Sequence, residues 1–253
     1  MSEPCLMDRI LEPGALSVRF QAVYEVHAHV LLGHYIECLI RGPKGTSAES
    51  PEILFEYARK KNREAEVDRR CVSVILAAAR TLPGHVRLGL NVHASTLALD
   101  PGFVEFLADE TRRHGVDADR LVVEIVEHAP PWDVEAFRLA REALRALGAA
   151  IALDDVGLGH SNFMMILECR PNYFKIDRYF VHGARTDIYR QAVLSSVAQL
   201  ALPFDARVVA EGVETEADLE AVRQAGIDLV QGYLFGQPGA EVSLAALRPR
   251  DVA

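Results

Sequence analysis

The chain has 253 residues, half of them hydrophobic and a quarter charged, with a formal net charge of -9. This length fits one (β/α)8 barrel and also two small domains. The negative balance argues against non-specific binding to DNA or to an anionic membrane through a basic face, so neither is expected as a partner.

The cysteines, the N-terminal segment and the lengths of the apolar stretches indicate in which cellular compartment the protein is expected. The four cysteines are scattered without a CxxC pair, so neither a zinc site nor a disulfide framework is expected. The N-terminal segment carries acids and lacks the apolar region of a signal peptide, and no apolar stretch approaches the roughly 20 residues of a membrane span. We therefore expect a cytoplasmic protein without a membrane segment.

Eight apolar runs follow a predicted N-terminal lead-in at residues 1–17. Because these runs are nearly continuously apolar, they are predicted to be strands covered on both faces. In chain order they are 18–26, 35–40, 86–92, 121–126, 150–153, 173–176, 207–210 and 229–234. The connection over residues 25–35 is short and turn-like, which predicts a hairpin and therefore a first strand antiparallel to the rest.

Most of the runs are separated by stretches with apolar residues at helical spacing. These predicted helices cover residues 51–81, 103–114, 133–147, 187–201 and 215–225. Thr215 and Asp218 open the last of them with a pattern that resembles a capping box. Alternating strands and helices without a linker predict one α/β domain over residues 18–253, a (β/α)8 TIM-type barrel.

Acidic or amide side chains lie within or just after several of the apolar runs. In a barrel of parallel strands the C-terminal strand ends converge on one mouth, where five carboxylates would repel one another. A pair of divalent cations is the simplest way to hold them. Structural salt bridges remain an alternative for the glutamates, and a strand-end turn remains one for the amide. The residues are Glu37, Asn91, Glu124, Asp154, Asp155 and Glu211.

The most specific motif pairs two carboxylates with a glycine-rich loop, Asp154-Asp155-Val156-Gly157-Leu158-Gly159. Before it stand Glu37-Cys38-Leu39-Ile40-Arg41, Asn91-Val92-His93 and Glu124-Ile125-Val126-Glu127. After it stand Lys175-Ile176-Asp177, Ala210-Glu211-Gly212-Val213-Glu214-Thr215 and Gln231-Gly232-Tyr233. Together and in this order, from about residue 18 to residue 238, they resemble the EAL-domain family of cyclic di-GMP phosphodiesterases. The Glu-Ala-Leu of the family name corresponds to Glu37-Cys38-Leu39.

The resemblance implies a barrel with one reversed strand, in agreement with the hairpin. It also implies hydrolysis of cyclic di-GMP to linear pGpG with Mg2+ or Mn2+, two ions per site, and water activated between them. The implied metal ligands are Glu37, Asn91, Glu124, Asp154, Asp155 and Glu211.

The resemblance also implies roles for other residues. Lys175 corresponds to a lysine that contacts the attacking water, and Gln231 corresponds to a glutamine near the metals. Glu127 corresponds to a glutamate that steadies the loop after Asp155, and Glu214 to another glutamate of the site. The substrate-side positions are Gln21, Leu39 and Arg41. A homodimer through the region of that loop is expected, and a regulatory protein partner is compatible with the family. His93, His128 and His160 match no family ligand and are interpreted as loop or core histidines.

The loop departs from the usual Asp-Asp-Phe-Gly-Thr-Gly-Tyr pattern at Val156, Leu158 and His160. Because Leu158 lacks the hydroxyl of a threonine, a less constrained loop could misplace the metals and slow the reaction. Two alternatives to an active enzyme therefore stay open. The domain could be a receptor that binds cyclic di-GMP without cleaving it, or an interaction module that uses the barrel surface.

Overall fold

Eight strands of the chain close into a barrel. The computed structural model of the protein describes residues 5–27, 30–126, 133–158, 163–242 and 250–251. The barrel strands are β1 (Ser17–His27), β2 (Val30–Arg41), β3 (Leu88–His93), β4 (Leu121–Val126), β5 (Ala150–Val156), β6 (Tyr173–Ile176), β7 (Arg207–Ala210) and β8 (Leu229–Val230). A two-residue strand, β9 (Arg250–Asp251), pairs with the start of β2.

The strand order confirms the predicted barrel and its reversed first strand. β1 is antiparallel to both of its neighbours, β2 and β8, whereas β2 to β8 run parallel in sequence order around the barrel. The hairpin strands extend further into the turn-like connection than the pattern predicted, to His27 and from Val30. The carboxyl ends of β2 to β8 therefore meet at one mouth.

The parallel strands are apolar on both faces because each face packs against a different layer. Inside the barrel, buried side chains from most of the strands form one cluster that includes Tyr35, Val122 and Val209. The opposite faces pack under the surrounding helices in a larger cluster that includes Phe103 and Phe137. This two-sided burial explains the nearly continuous apolar runs.

The α-helices are α1 (Leu6–Leu11), α2 (Pro51–Lys60), α3 (Glu64–Ala79), α4 (Ala94–Leu99), α5 (Phe103–His114), α6 (Val134–Ala146), α7 (Phe163–Cys169), α8 (Arg178–Val181), α9 (Ile188–Ala201) and α10 (Glu216–Gln224). Four of the predicted helices, now α5, α6, α9 and α10, begin and end within one residue of the predicted positions. The capping box of Thr215 and Asp218 is present at the start of α10. The short helices α4, α7 and α8 carry too few residues for a clear helical period, and the sequence did not predict them.

Two elements differ from the sequence-based expectation. The stretch 51–81 is two helices instead of one, because Asn62 adopts a left-handed backbone with φ of 54° and breaks the pattern between α2 and α3. Asparagine is among the few residues that tolerate this conformation. The last run ends as a strand at Val230, and the backbone of Gln231 turns to accept a hydrogen bond from Val213 at 3.0 Å.

The N-terminal segment contains α1, whose Met7 and Ile10 are buried in the large apolar cluster. The division of the chain into a lead-in at 1–17 and a domain at 18–253 stays a prediction. Among the residues described above, no helix is both long and apolar enough to cross a membrane.

Gly232 offers a test of the close packing beneath the mouth. A Cβ at this position would lie 2.1 Å from the backbone oxygen of Val213, so either the turn or the strand end has to move. We expect Gly232→Ala to lower the free energy of unfolding by about 3 kcal/mol or more. Urea denaturation monitored by circular dichroism measures this loss.

Gly84→Ala is the matched control, because a Cβ there meets no atom within 4 Å and the backbone is not left-handed. We expect it to change stability by about 0.5 kcal/mol or less. Equal effects of the two substitutions would contradict the packing of Gly232 against Val213.

Candidate active site

The ammonium group of Lys175 lies at the centre of the barrel mouth. It is 1% exposed and forms ion pairs with four carboxylates contributed by four other strands or strand ends. The Nζ atom is 3.3 Å from Glu37, 3.1 Å from Asp154 and 2.9 Å from Glu211, and it also contacts Glu124 closely. The sequence-predicted lysine and four of the predicted ligands are therefore in direct contact.

Strand register places these side chains on the inner side of the mouth. Asn91 on β3 pairs directly with Glu124 on β4, and Glu37 on β2 pairs with Gly89 on β3. A Cβ on Gly89 would lie 2.2 Å from Oε1 of Glu124, so the absence of a side chain there makes room for that carboxylate. Sequence reasoning missed Gly89, because its role depends on a neighbour that lies 35 positions further along the chain.

A bulge in β5 orients the paired aspartates. The register with β6 shifts between Leu153 and Val156, and Asp155 adopts a left-handed backbone with φ of 51°. Bulges of this kind occur next to active sites, where they change the direction of a side chain. As a result, one carboxylate oxygen from each of Asp154, Asp155 and Glu211 lies within 4.8 Å of the other two.

Amide groups fix the orientation of Glu37. Gln231 donates to its Oε2 at 2.6 Å, and Asn91 donates to its Oε1 at 3.2 Å. Gln231 also lies 3.4 Å from the Oε1 of Gln21, which in turn donates to the backbone oxygen of Gly236 at 3.0 Å. The predicted residues Gln21, Glu37, Asn91 and Gln231 thus form one hydrogen-bonded chain across the mouth.

The carboxylates carry more negative charge than Lys175 can balance. Burial and the neighbouring Glu37 raise the pKa of Glu124 well above its usual range, and burial does the same for Glu211. Partial burial and the adjacent Asp154 raise the pKa of Asp155 to about 6. Burial opposes ionisation of Glu37 as well, but the Lys175 ammonium and the two amide hydrogen bonds outweigh it and lower its pKa.

Two buried oxygen atoms at the mouth suit a cation. Oε1 of Glu124 and Oδ1 of Asn91 are inaccessible to solvent and have no hydrogen-bond partner among the residues that the structure describes. A buried acceptor without a partner costs free energy, whereas carboxylate and carbonyl oxygens are the ligands that Mg2+ and Mn2+ prefer. The oxygen-rich donor set therefore fits a divalent metal, and the assignment of the six individual ligands stays a prediction.

The remaining predicted residues lie around this centre at different distances. Glu214 is exposed and lines a cavity of about 270 Å³ together with Lys175 and Glu211. Leu39 lines this cavity and also a second one of about 530 Å³, to which Arg41 belongs. Glu127 lies outside the described residues, as do His128 and His160.

The second cavity contains residues that the sequence did not point to. It extends from Glu37 and Asn91 to the first turns of α2, where Pro51 and Phe55 form an apolar wall. Tyr233, 55% exposed, contributes an aromatic ring to the first cavity. Nothing in the local pattern distinguishes Phe55 from an ordinary core residue of an amphipathic helix.

His93 is a core histidine, as the sequence interpretation held. It is 3% exposed, its Nδ1 lies 2.9 Å from Asp68, and its ring packs on Phe55 with a centroid separation of 4.7 Å. Asp68 also accepts hydrogen bonds from the backbone of His93 and from Thr96, which anchors α3 beneath the end of β3.

A known protein family accounts for most of this chain. The model of the EAL domain matches residues 6–238. The chain belongs to the EAL domain family. The fold and the family predicted from the motifs are thereby confirmed.

The two relatives described next are longer chains than this EAL domain. It is 34% identical to the probable cyclic di-GMP phosphodiesterase PdeG of Escherichia coli over 250 residues, which are 96% of this chain and 48% of PdeG. It is 32% identical over 166 residues to the bifunctional diguanylate cyclase/cyclic di-GMP phosphodiesterase MucR of Pseudomonas aeruginosa, covering 65% of this chain and 24% of MucR. The chain therefore spans between about a quarter and a half of these two relatives.

A solved structure gives the same architecture. BlrP1 of Klebsiella pneumoniae, in a complex with calcium and cyclic di-GMP, superposes with a TM-score of 0.79 at 27% identity. The match covers 96% of this chain and 59% of that chain. BlrP1 also has a manganese complex with cyclic di-GMP among the matched structures, with a TM-score of 0.78.

Replacement of Lys175 tests the charge balance of this EAL domain. In EDTA, we expect Lys175→Met to lower the free energy of unfolding by about 3–5 kcal/mol, because buried carboxylates lose their counter-ion. Added Mn2+ should restore more stability to the variant than it adds to the wild-type protein, since bound cations supply the missing positive charge. Chemical denaturation with and without Mn2+ measures both effects.

Lys60→Met serves as the control, because Lys60 is exposed and forms a surface pair with Glu56. It should cost less than about 1 kcal/mol. The counter-ion role of Lys175 is wrong if its replacement is no more destabilising in EDTA than that of Lys60.

Proposed function

We propose that this EAL domain hydrolyses cyclic di-GMP to linear pGpG with two bound divalent cations, Mg2+ or Mn2+. The observation that carries the proposal is the set of buried oxygen ligands around Lys175, in a family whose relatives are named as cyclic di-GMP phosphodiesterases. When bound, such a metal pair supplies positive charge that polarises a phosphodiester and activates water.

The protein residues prepare the site for that chemistry. Glu37 is held from both sides by Gln231 and Asn91, so its carboxylate has one fixed orientation toward the mouth. The same hydrogen bond leaves Oδ1 of Asn91 without a protein partner among the described residues and available to a cation. The proposed ligand set is Glu37, Asn91, Glu124, Asp154, Asp155 and Glu211.

Lys175 acts as a donor in this proposal. Burial disfavours its charge, but the surrounding carboxylates outweigh that effect and raise its pKa well above the usual range. It therefore stays protonated at neutral pH, which excludes it as a general base in this state and suits it to orient the attacking water by a hydrogen bond. In hydrolysis the water oxygen forms a bond to phosphorus, and the ester bond to the leaving hydroxyl breaks.

The two cavities provide room for the nucleotide. We place the phosphates between Lys175 and Arg41. The Nη1 atom of Arg41 donates a hydrogen bond to the backbone oxygen of Ile40, and its other nitrogens remain to contact an anion. The apolar wall of Phe55 in the larger cavity and the ring of Tyr233 in the smaller one offer surfaces on which guanines can stack. Gln21, Leu39 and Glu214 lie at the rim of this space, and Glu127 belongs to the proposal through the family alone.

A turnover assay with Glu37→Ala tests the enzyme. We expect purified protein with Mg2+ or Mn2+ to convert cyclic di-GMP to pGpG, and EDTA to stop the conversion. Glu37→Ala should reduce the rate by more than about a hundredfold, because it removes the best-oriented ligand. Chromatography of the nucleotides measures the rate, and circular dichroism checks the fold.

Glu105→Ala, an exposed substitution on α5, should retain the wild-type rate. Wild-type turnover by Glu37→Ala would refute the metal-site assignment. Intact substrate after a long incubation with wild-type protein, together with saturable binding of cyclic di-GMP, would identify the domain as a receptor instead.

We further propose that the domain functions in the cytoplasm as a homodimer, with room for a regulatory partner. The support for a dimer is an apolar face on α7, formed by Phe163, Met164 and Leu167, which are 75%, 46% and 62% exposed. This helix follows the loop after Asp155. Exposed apolar patches of this kind mark interfaces.

A substitution on this face tests the dimer. We expect Phe163→Asp to convert a dimer to a monomer in sedimentation velocity, because the charge would be buried in the interface. Tyr189→Asp, at another exposed aromatic on α9, is the control. A wild-type monomer, or a dimer that survives Phe163→Asp, would contradict the proposed interface.

A further inference from the structure

Four arginines line a groove on the outer surface of the barrel, away from the mouth. The groove lies between α6, the end of α7 and the 3-10 turn Leu202–Phe204, and has a volume of about 830 Å³. Its arginines are Arg138, Arg141, Arg145 and Arg170, and Glu168 is the carboxylate among its lining residues. A positive concavity of this kind stands out on a chain with a net charge of -9.

Part of this charge ties α6 to α7. Arg138 forms a two-pronged ion pair with Glu168, with N–O distances of 2.6 and 2.8 Å. One nitrogen of Arg141 donates to the backbone oxygen of Glu168, and one nitrogen of Arg145 donates to that of Arg170. These bonds satisfy carbonyls at the end of α7 and explain why two of the arginines are there.

The bonds leave several donors unused. A guanidinium carries five N–H donors. Arg141 is 6% exposed, and its buried Nε has no hydrogen-bond partner among the described residues. Within the same described part of the chain, Arg145 and Arg170 make no ion pair with a carboxylate within 4.0 Å. Positive charge and unused N–H groups therefore face the groove in excess of what the helix contacts need.

The neighbouring acids show the effect of this positive field. The hydrogen bond from Arg138, together with the charges of Arg141 and Arg170, lowers the pKa of Glu168. The hydrogen bond from Arg141, with the charges of Arg145 and Arg170, does the same for Glu142. An anion entering the groove meets the same attraction.

We propose that this groove binds a phosphate-bearing small molecule of nucleotide size. Planar guanidinium groups match phosphate oxygens in pairs, and the volume of the groove lies in the range of small-molecule sites. Pro203 and Phe204 form an apolar wall beside the arginines, against which the non-phosphate part of the ligand packs. A groove of this volume, with only a short apolar wall, favours a small molecule over an extended acidic peptide.

Calorimetric titration with pyrophosphate in EDTA tests the site independently of turnover. Without metals the barrel mouth is acidic and repels the probe, so binding reports the groove. We expect saturable 1:1 binding with a Kd below about 1 mM. Arg145→Gln with Arg170→Gln should weaken it at least about tenfold, because charge-assisted hydrogen bonds to phosphate are lost.

Arg112→Gln with Arg113→Gln is the matched control, because it removes the same charge from an exposed face of α5. It should change the Kd by less than about twofold, since exposed charges contribute weakly. If the double groove variant misfolds, Arg170→Gln alone remains informative, because that side chain makes no hydrogen bond within the described residues. Tighter binding of ADP than of pyrophosphate would assign a nucleotide, and equal binding would assign the phosphate group alone.

Three results would overturn the proposal. They are the absence of saturable pyrophosphate binding, equal weakening by the groove and control variants, and binding of a polyglutamate peptide in place of pyrophosphate. The last result would assign the groove to an acidic protein segment. Since none of these readouts involves cyclic di-GMP, failure here is distinct from failure of the proposed hydrolysis.

Discussion

The buried ion cluster around Lys175 is the constraint on which the mouth of this barrel depends. Four carboxylates reach one ammonium group that is almost fully removed from solvent. Water screens these mostly buried charges only weakly, so their repulsion has to be met by the protein or by bound cations. One lysine is too little positive charge for the set, and burial together with the neighbouring carboxylates raises the pKa values of Glu124 and Glu211. The site is therefore built to gain stability from divalent metals.

The barrel meets this constraint with local departures from regular strand geometry. Because Gly89 has no side chain, the carboxylate of Glu124 has room beside β3. The β5 bulge directs Asp154 and Asp155 to the barrel mouth. The left-handed backbone of Asp155 is the kind of local strain that surrounding structure must hold in place. Regular strands would alternate these carboxylates between the core and the helices, which would separate them.

Charge is separated across the surface of this EAL domain. Negative charge is concentrated inside the mouth, while a groove outside α6 and α7 is rich in arginine. The helix α7 borders that groove and follows the loop after Asp155. The acidic strand end at the mouth and the arginine groove therefore lie on consecutive parts of the chain.

The sequence by itself determined the barrel, its reversed first strand and the membership of the EAL family, because apolar runs and ordered motifs are local properties of the chain. It also pointed to Lys175 and the acidic strand ends, whose residue types are unusual in buried strands. Only the tertiary structure decided how they meet: the break at Asn62, the space above Gly89, the hydrogen bonds that orient Glu37, and the wall formed by Phe55. The space above Gly89, the hydrogen bonds of Glu37 and the wall of Phe55 depend on contacts between positions far apart in the chain, where neither periodicity nor local propensity carries information. The break at Asn62 is a local left-handed turn that the apolar spacing on either side does not reveal.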